Sequence, residues 1–169
     1  RPQTPSMAGC VHLDQGCMAE MAPGPGRVDD TLSPTLGGSG AVVAGDVAGG
    51  IWADIGTPQR YLDLNAALIA ERGDSAIETP SHISPSAVVT GSSVGARCRI
   101  DTRATVRDSI LWENVWVGVG ATVTNSAIAD SVLIGDGAVI EGAVIGAGAT
   151  ISARSRLLPG SRIDNAQTV

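Results

Sequence analysis

The stretch "SVLIGDGAVIEGAVIGAGATI" (131–151) decides the fold, because its aliphatic residues recur at nearly fixed intervals. Steps of 6, 5 and 6 residues make a period of 17 that runs from Ile83 to Ile151, and every later step is 6. Such a period indicates a solenoid, in which each repeat buries its apolar face against its neighbours. The repeated positions are Ile83, Val89, Val94, Ile100, Val106, Leu111, Val117, Val123, Ile128, Ile134, Ile140, Ile145, Ile151, Leu157, Ile163 and Val169.

Each six-residue unit predicts a short strand and a corner, and three units close one triangular coil. Gly or Asp often follows the aliphatic residue directly, and glycine gives the backbone freedom at a turn. A β-sandwich would space its strands by ~8–12 residues, which does not fit. We therefore predict a mainly β fold, a parallel β-helix of about five coils over residues 81–169. Small residues expected at tight corners, four places after an aliphatic residue, are Ala87, Ser93, Cys98, Ala104, Ala121, Ala127, Ala138 and Ala149.

A helix is predicted over residues 58–72, just before the repeat. Thr57 is a suitable N-cap and Pro58 suits the first helical position, while Gly73 suits the end of a helix. The stripe Tyr61, Leu64 (or Asn65), Leu68 and Ile69 predicts that the helix packs on a sheet edge or on the first coil. Residues 71–80 are predicted to be a polar linker.

The region upstream of this helix gives weaker signals. Residues 40–56 suggest two short strands around glycine-rich turns, and residues 1–24 are predicted to be loop or disordered. Cys10 and Cys17 could pair, or bind a metal with His12, but their spacing matches no common metal site. Cys98 falls on an inward position of the repeat and is predicted to be a small buried hydrophobic residue.

Composition excludes several classes of protein. The chain has no Phe, one Tyr and three Trp, so a core of aromatic anchors is not expected. All eleven cationic side chains are Arg; residues 1–80 hold 4 of them against 10 acidic residues, and residues 81–169 hold 7 against 7. This balance argues against nucleic-acid binding. Short apolar runs and the lack of a signal-peptide pattern predict a cytoplasmic protein with no membrane segment.

Two segments together resemble sugar-1-phosphate nucleotidyltransferases, especially mannose-1-phosphate guanylyltransferases. "GGIWADIGTPQRYLDLNAALI" (49–69) and "PGRVDDTLSPTL" (25–36) are similar to the end of their Rossmann-like catalytic domain. Residues 107–149 are similar to their C-terminal β-helix, which is left-handed, an exception to the usual right-handed crossover. The resemblance implies that residues 25–73 are an α/β remnant of the catalytic domain, followed by the left-handed β-helix.

In that family a sugar phosphate attacks the α-phosphorus of a nucleoside triphosphate and pyrophosphate leaves, with metal ions bridging the phosphates. By resemblance, Asp54 would be one of two carboxylates that hold Mg²⁺ in the intact enzyme; alternatively, Asp54 caps the turn before Thr57. The family's glycine-rich phosphate loop, second metal aspartate and active-site lysines are missing. The resemblance therefore implies a C-terminal portion of a GDP-mannose-forming enzyme that is inactive alone and holds no cofactor.

The β-helix could also belong to another class of enzyme or to a non-enzymatic binding module. A hexapeptide acyltransferase needs a histidine base at a coil interface, and a γ-type carbonic anhydrase needs three zinc-binding histidines. The only histidines are His12 and His82, and His82 is predicted to precede the first coil, so both enzymes are disfavoured. A non-enzymatic module would instead use Trp112 and Trp116 as an outward contact patch, for a homo-oligomer or a missing catalytic domain. Alternatively, one of these tryptophans packs on the helix at 58–72.

Overall fold

The computed structural model describes residues 53–169, which form one compact unit. The segment predicted to be disordered (1–24), most of the two-strand segment (40–56) and the residues around His12 lie outside this range. Among residues 53–169, no helix has the length and apolarity needed to cross a membrane.

One helix and sixteen short strands make up residues 53–169. The helix, α1, spans Pro58–Arg72 as predicted; Thr57 caps its start, and Gly73, with φ of 82°, ends it. The strands are β1 (Ala76–Ile77), β2 (His82–Ile83), β3 (Val88–Thr90), β4 (Ser93–Val94), β5 (Arg99–Ile100), β6 (Thr105–Arg107), β7 (Ile110–Leu111), β8 (Trp116–Val117), β9 (Thr122–Thr124), β10 (Ala127–Ile128), β11 (Leu133–Ile134), β12 (Val139–Glu141), β13 (Val144–Ile145), β14 (Thr150–Ile151), β15 (Arg156–Leu157) and β16 (Arg162–Ile163).

The strands form three parallel sheets, and each sheet takes every third strand. Sheet A has the order β1-β4-β7-β10-β13-β16, sheet B β2-β5-β8-β11-β14, and sheet C β3-β6-β9-β12-β15. Partners in neighbouring coils are 17 residues apart, as in Ile100↔Val117, except where β13 meets β16 in the pair Ile145↔Ile163. The predicted β-helix of about five coils is confirmed, and its last coil is one residue longer than the others.

The aliphatic positions of the repeat fill the interior of the prism. From Val94 to Ile151 every one of them is at most 1 % exposed. Exposure rises at both ends, as in Ile83 and Ile163, because an end coil has a neighbour on one side only. The burial therefore follows the 17-residue period.

The first strand lies where a linker was expected. β1 falls within residues 71–80 and pairs with β4, with Ile77 opposite Val94. The prediction of a linker was wrong because the polar residues around this strand hid it. Ile77 stands one period of 17 residues before Val94, so the spacing itself carried the signal.

The role assigned to the glycines needs correction. Gly118 and Gly135 directly follow aliphatic positions, but neither has a positive φ. A Cβ on Gly135 would lie 2.5 Å from the backbone nitrogen of Ala153, so this glycine permits close contact between coils. The left-handed conformation occurs elsewhere in the corners, at other glycines such as Gly120 and Gly137, with φ of 65° and 67°, and at residues such as Asn114, with φ of 57°.

Corners between sheets C and A are built differently from the prediction. The step there is five residues, so Ser93 and Ala127 lie in strands and are only half-buried. Serines one place earlier are buried and form a ladder: Ser109 Oγ donates to the Arg107 carbonyl (2.6 Å) and accepts the Ser126 N–H (3.2 Å). Ser92 and Ser126 repeat this arrangement. The other five small residues from Cys98 to Ala149 are buried as expected: Cys98, Ala104, Ala121, Ala138 and Ala149.

Helix α1 lies against the outer face of sheet A. Its Tyr61 lines one groove with Ser93 and Ile110 and another with Ala127 and Val144. Ile110 is on the outer side of its strand and yet is only 4 % exposed. Of the predicted stripe of α1, Ile69 is buried as expected, but Leu68 is exposed and Leu62, which lay outside the stripe, is buried.

Adjacent residues of β11 provide a test of this interior. Ile134→Ala should lower the free energy of unfolding by about 2–5 kcal/mol, because it leaves a cavity in a packed interior. Leu133→Ala, on the outer side of the same strand, should cost less than about 1 kcal/mol. Urea unfolding measures both. Equal losses for the two variants would contradict the assignment of inner and outer positions.

Candidate functional site

Asp54 lies in the segment that leads into α1 and forms an ion pair with Arg60, in the first turn of that helix. Its Oδ2 is 2.7 Å from Arg60 Nη1, and both side chains are 60 % exposed. The cap of the helix is Thr57, whose hydroxyl accepts the Arg60 N–H at 3.3 Å. Within residues 53–169, no three His, Cys, Asp or Glu side chains form a group that could hold a metal ion. An exposed pair of this kind contributes little to stability.

The two candidate tryptophans point outward, as predicted, but towards different surroundings. Trp112 is 47 % exposed in the corner after β7, and Trp116 is 42 % exposed in β8 of sheet B. Trp112 Nε1 donates a hydrogen bond to Tyr61 Oη at 3.3 Å. Trp112 is therefore the tryptophan that contacts α1, which was one of the two alternatives.

Trp112 and Tyr61 form a wall shared by two grooves. One groove, of about 500 Å³, is polar and includes the carboxylates of Glu78, Glu113 and Asp130. The other, of about 380 Å³, is mostly apolar and is lined by the start of α1 and by sheet A. Glu113 is also paired with Arg97, and Asp130 accepts the Glu113 N–H, so part of the acidic groove is already engaged.

Trp116 belongs to a cluster that sequence reasoning missed. Asp101 Oδ1 accepts a hydrogen bond from Arg99 Nε, and its Oδ2 accepts one from Trp116 Nε1, both at 2.8 Å. The Arg99 guanidinium carbon lies 4.9 Å from the centre of the Trp116 ring, a cation–π distance. Three side chains from two neighbouring coils thus fix one another.

The electrostatics of this cluster favour a charged Asp101. Partial burial by itself raises the pKa of the carboxyl group, but hydrogen bonds from Arg99 and Trp116 and the charge of Arg99 outweigh it. The pKa of Asp101 is therefore lowered from its ordinary value of 3.8. His82 adds a smaller effect in the same direction.

His82 lies in sheet B, although it was predicted to precede the first coil. His82 lies in β2, inside the first coil, with Arg99 as its partner in the next strand. The prediction that it precedes the coils was wrong because the first coil begins at β1. Its side chain is exposed on the outer face of sheet B, in one column with Arg99, Trp116, Leu133 and Thr150.

A sequence profile of the EIF2B subunit epsilon LbH domain matches residues 64–166, more than half of the chain. The chain belongs to this family. LbH denotes a left-handed β-helix, so the handedness implied by the resemblance is confirmed. A comparison with curated protein sequences found no match.

Solved structures that resemble this LbH domain include two bacterial proteins. A putative acetyltransferase from Bacillus cereus is 22 % identical, with a TM-score of 0.48, over 56 % of this chain and 71 % of that one. A hexapeptide transferase family protein from Anaplasma phagocytophilum is 15 % identical, with a TM-score of 0.47, over 56 % and 72 %. Neither likeness carries a functional conclusion.

Cys98 is a structural residue of the LbH domain, as predicted. It is buried, and its Sγ donates to the Trp112 carbonyl at 2.9 Å. Burial raises the pKa of the thiol and outweighs the hydrogen bonds from the backbone of Val115 and Asn114, which lower it; the charges of Asp130 and Glu113 add smaller increases. Since the thiolate is the reactive form of cysteine, this environment disfavours a nucleophilic role.

The 17-residue repeat of the LbH domain already indicated part of the cluster of Arg99, Asp101 and Trp116. Arg99 and Trp116 are 17 residues apart, so the period already placed them side by side on one sheet. Asp101 follows Arg99 by two residues at the start of a corner. Its contacts depend on side-chain conformations, which a spacing argument does not contain.

Asp101 makes the stability of the LbH domain depend on pH. A carboxyl group with a lowered pKa in the folded state stabilises it above the unfolded pKa, and this contribution disappears as pH falls through the folded pKa. We therefore expect the difference in unfolding free energy between the wild type and Asp101→Asn to shrink from neutral pH to about pH 2. Urea unfolding at several pH values measures it. If the difference in unfolding free energy between the two proteins stays constant with pH, the lowered pKa of Asp101 is contradicted.

Proposed function

We propose that this chain is the C-terminal portion of a sugar-1-phosphate nucleotidyltransferase-like protein and that its LbH domain serves as an assembly or regulatory scaffold. The strongest support is the contact between the two segments that carry the resemblance, the one that leads into α1 and the β-helix. The run "WADIGTP" (52–58) leads into α1, and α1 lies directly on sheet A through Tyr61 and Trp112. The segment that resembles the end of a catalytic domain is thus attached to the coils through side-chain contacts.

The scaffold role follows from where polar and apolar groups lie. The interior of the coils is filled by aliphatic side chains, and the buried polar side chains of residues 53–169 all have hydrogen-bond partners. Interactions with other molecules therefore belong to the outer faces and corners. Self-association through the coils and contact with a catalytic domain are both part of this proposal, and Trp112 and Trp116 are the candidate residues for one or the other of these contacts.

Mg²⁺ belongs to the proposed parent enzyme, not to the described part of this chain. A carboxylate such as Asp54 is a suitable hard ligand for Mg²⁺. In residues 53–169, however, Asp54 is a single exposed carboxylate already paired with Arg60, and no further metal ligands gather around it. Residues 53–169 therefore do not provide a complete Mg²⁺ site by themselves.

The nucleotidyltransferase assignment predicts that the chain alone does not catalyse the reaction. Incubation with GTP, mannose-1-phosphate and Mg²⁺ should release no pyrophosphate above the blank, because no phosphate-binding loop is present in the sequence. A coupled pyrophosphate assay measures this. Release that rises with the amount of chain and is lost in Asp54→Asn would contradict the prediction, and Asp63→Asn, in the exposed face of α1, is the matched control.

The alternative of an acyltransferase has one observation in its favour, the exposed His82 inside the first coil. A general base of that kind must reach a substrate hydroxyl or amine. Acetyl-CoA hydrolysis or acetyl transfer by the chain that disappears in His82→Ala would support this alternative over the scaffold.

A further inference from the structure

The outer face of sheet B carries a stripe of three exposed side chains, Arg99, Trp116 and Leu133. They are partners in register on β5, β8 and β11. Neighbouring strands are ~4.8 Å apart, so the stripe is continuous over ~10 Å. Trp116 is 42 % and Leu133 40 % exposed, whereas the equivalent position Ile110 on sheet A is covered. This sheet B stripe joins a cation, an indole and an aliphatic side chain on one flat face.

Arg99 is held in place before any partner arrives. Its Nε is bonded to Asp101, and its guanidinium lies over the Trp116 ring, as described above. Its two Nη atoms have no hydrogen-bond partner among residues 53–169, and the side chain is 57 % exposed. A guanidinium with one edge anchored and the outer edge free is suited to a carboxylate, which it can bind through two parallel hydrogen bonds.

The negative charge of this cluster is turned away from the surface. Asp101 is only 13 % exposed, and both of its oxygens face donors within the cluster. What the stripe presents to a neighbour is therefore the cation of Arg99 followed by the apolar surfaces of Trp116 and Leu133. The complementary ligand has a carboxylate beside an apolar side chain.

We infer that the sheet B stripe is a docking site for an acidic segment of another protein, one in which Asp or Glu stands next to an apolar residue. Trp and Arg at the centre of a contact carry a large share of binding energy. Because Arg99 and Trp116 are already fixed, less conformational entropy is lost when the segment binds.

A second copy of this chain fits the stripe less well. In a two-fold symmetric dimer the same patch occurs on both sides of the contact. Two stripes that run in the same direction would bring two Arg99 guanidinium groups together, and two that run in opposite directions would place each Arg99 against Leu133. In neither arrangement does Arg99 meet a carboxylate of the other copy, because both oxygens of Asp101 are bonded to donors of its own copy. The charge pattern thus favours a different, acidic partner.

The test uses the full chain and a fluorescein-labelled peptide in which Asp and Leu alternate, followed by fluorescence anisotropy. We expect saturable binding below about 1 mM that weakens as salt rises. Arg99→Ala and Trp116→Ala should each weaken binding at least about tenfold. Arg107→Ala, an exposed arginine of the same coil on sheet C, and Leu158→Ala, an exposed leucine outside sheet B, should bind as the wild type does.

A second peptide and two further measurements separate the other occupants. The same peptide with Asn in place of Asp should bind at least about tenfold more weakly. Equal binding of the two peptides, no binding below about 1 mM, or equal binding to Arg99→Ala would overturn the proposal. Displacement of the peptide by inorganic phosphate at the same concentration would instead indicate a site for free anions and would also overturn it.

Sedimentation velocity distinguishes a second copy as the occupant. If the chain self-associates, Arg99→Ala and Trp116→Ala should leave the association unchanged. An oligomer that dissociates in both variants would show that the stripe is a contact between copies, which overturns the proposal without affecting the nucleotidyltransferase assignment.

Discussion

Contact between consecutive coils is the interaction on which the rest of this protein depends. Strands of two or three residues have too few hydrogen bonds and too little apolar surface to be stable alone. Each strand here gains both from the coil before it and the coil after it, through parallel pairing and through the aliphatic column Ile100, Val117, Ile134 and Ile151. The burial of each such side chain contributes roughly 1.5–3 kcal/mol. Stability is therefore distributed along the axis of the prism.

This constraint also determines where function can lie. Among residues 53–169 no buried polar side chain lacks a hydrogen-bond partner, and the corners between sheets C and A are occupied by the serine ladder. Only the outer faces and the remaining corners are available to other molecules. Sheet A is covered at its centre by α1, whereas the Arg99–Trp116–Leu133 column of sheet B stays exposed. Trp112 and Trp116, four residues apart in sequence, therefore have different roles. Trp112 is hydrogen-bonded to the helix, and Trp116 faces outward on sheet B.

Much of this architecture could be predicted from the sequence because its period is a direct consequence of coil geometry. The inner positions followed from the spacing, and the bounds of the helix followed from the capping residues Thr57 and Gly73. The errors have physical reasons. The polar surroundings of β1 hid the first coil, and with it the place of His82. In the short corners the buried small residue was predicted at Ser93 and Ala127, but the five-residue step puts it one place earlier, at Ser92 and Ser126, whose hydroxyl groups are satisfied by the backbone. The contacts of Asp101 depend on side-chain conformation, which no periodicity contains.

Amide hydrogen exchange tests the dependence on coil contacts most directly. If each coil is stabilised only by its neighbours, the slowest exchange should occur in the central strands β8 to β11, and exchange should become faster towards β1 and β16. Central strands that exchange as fast as the end strands would contradict the account.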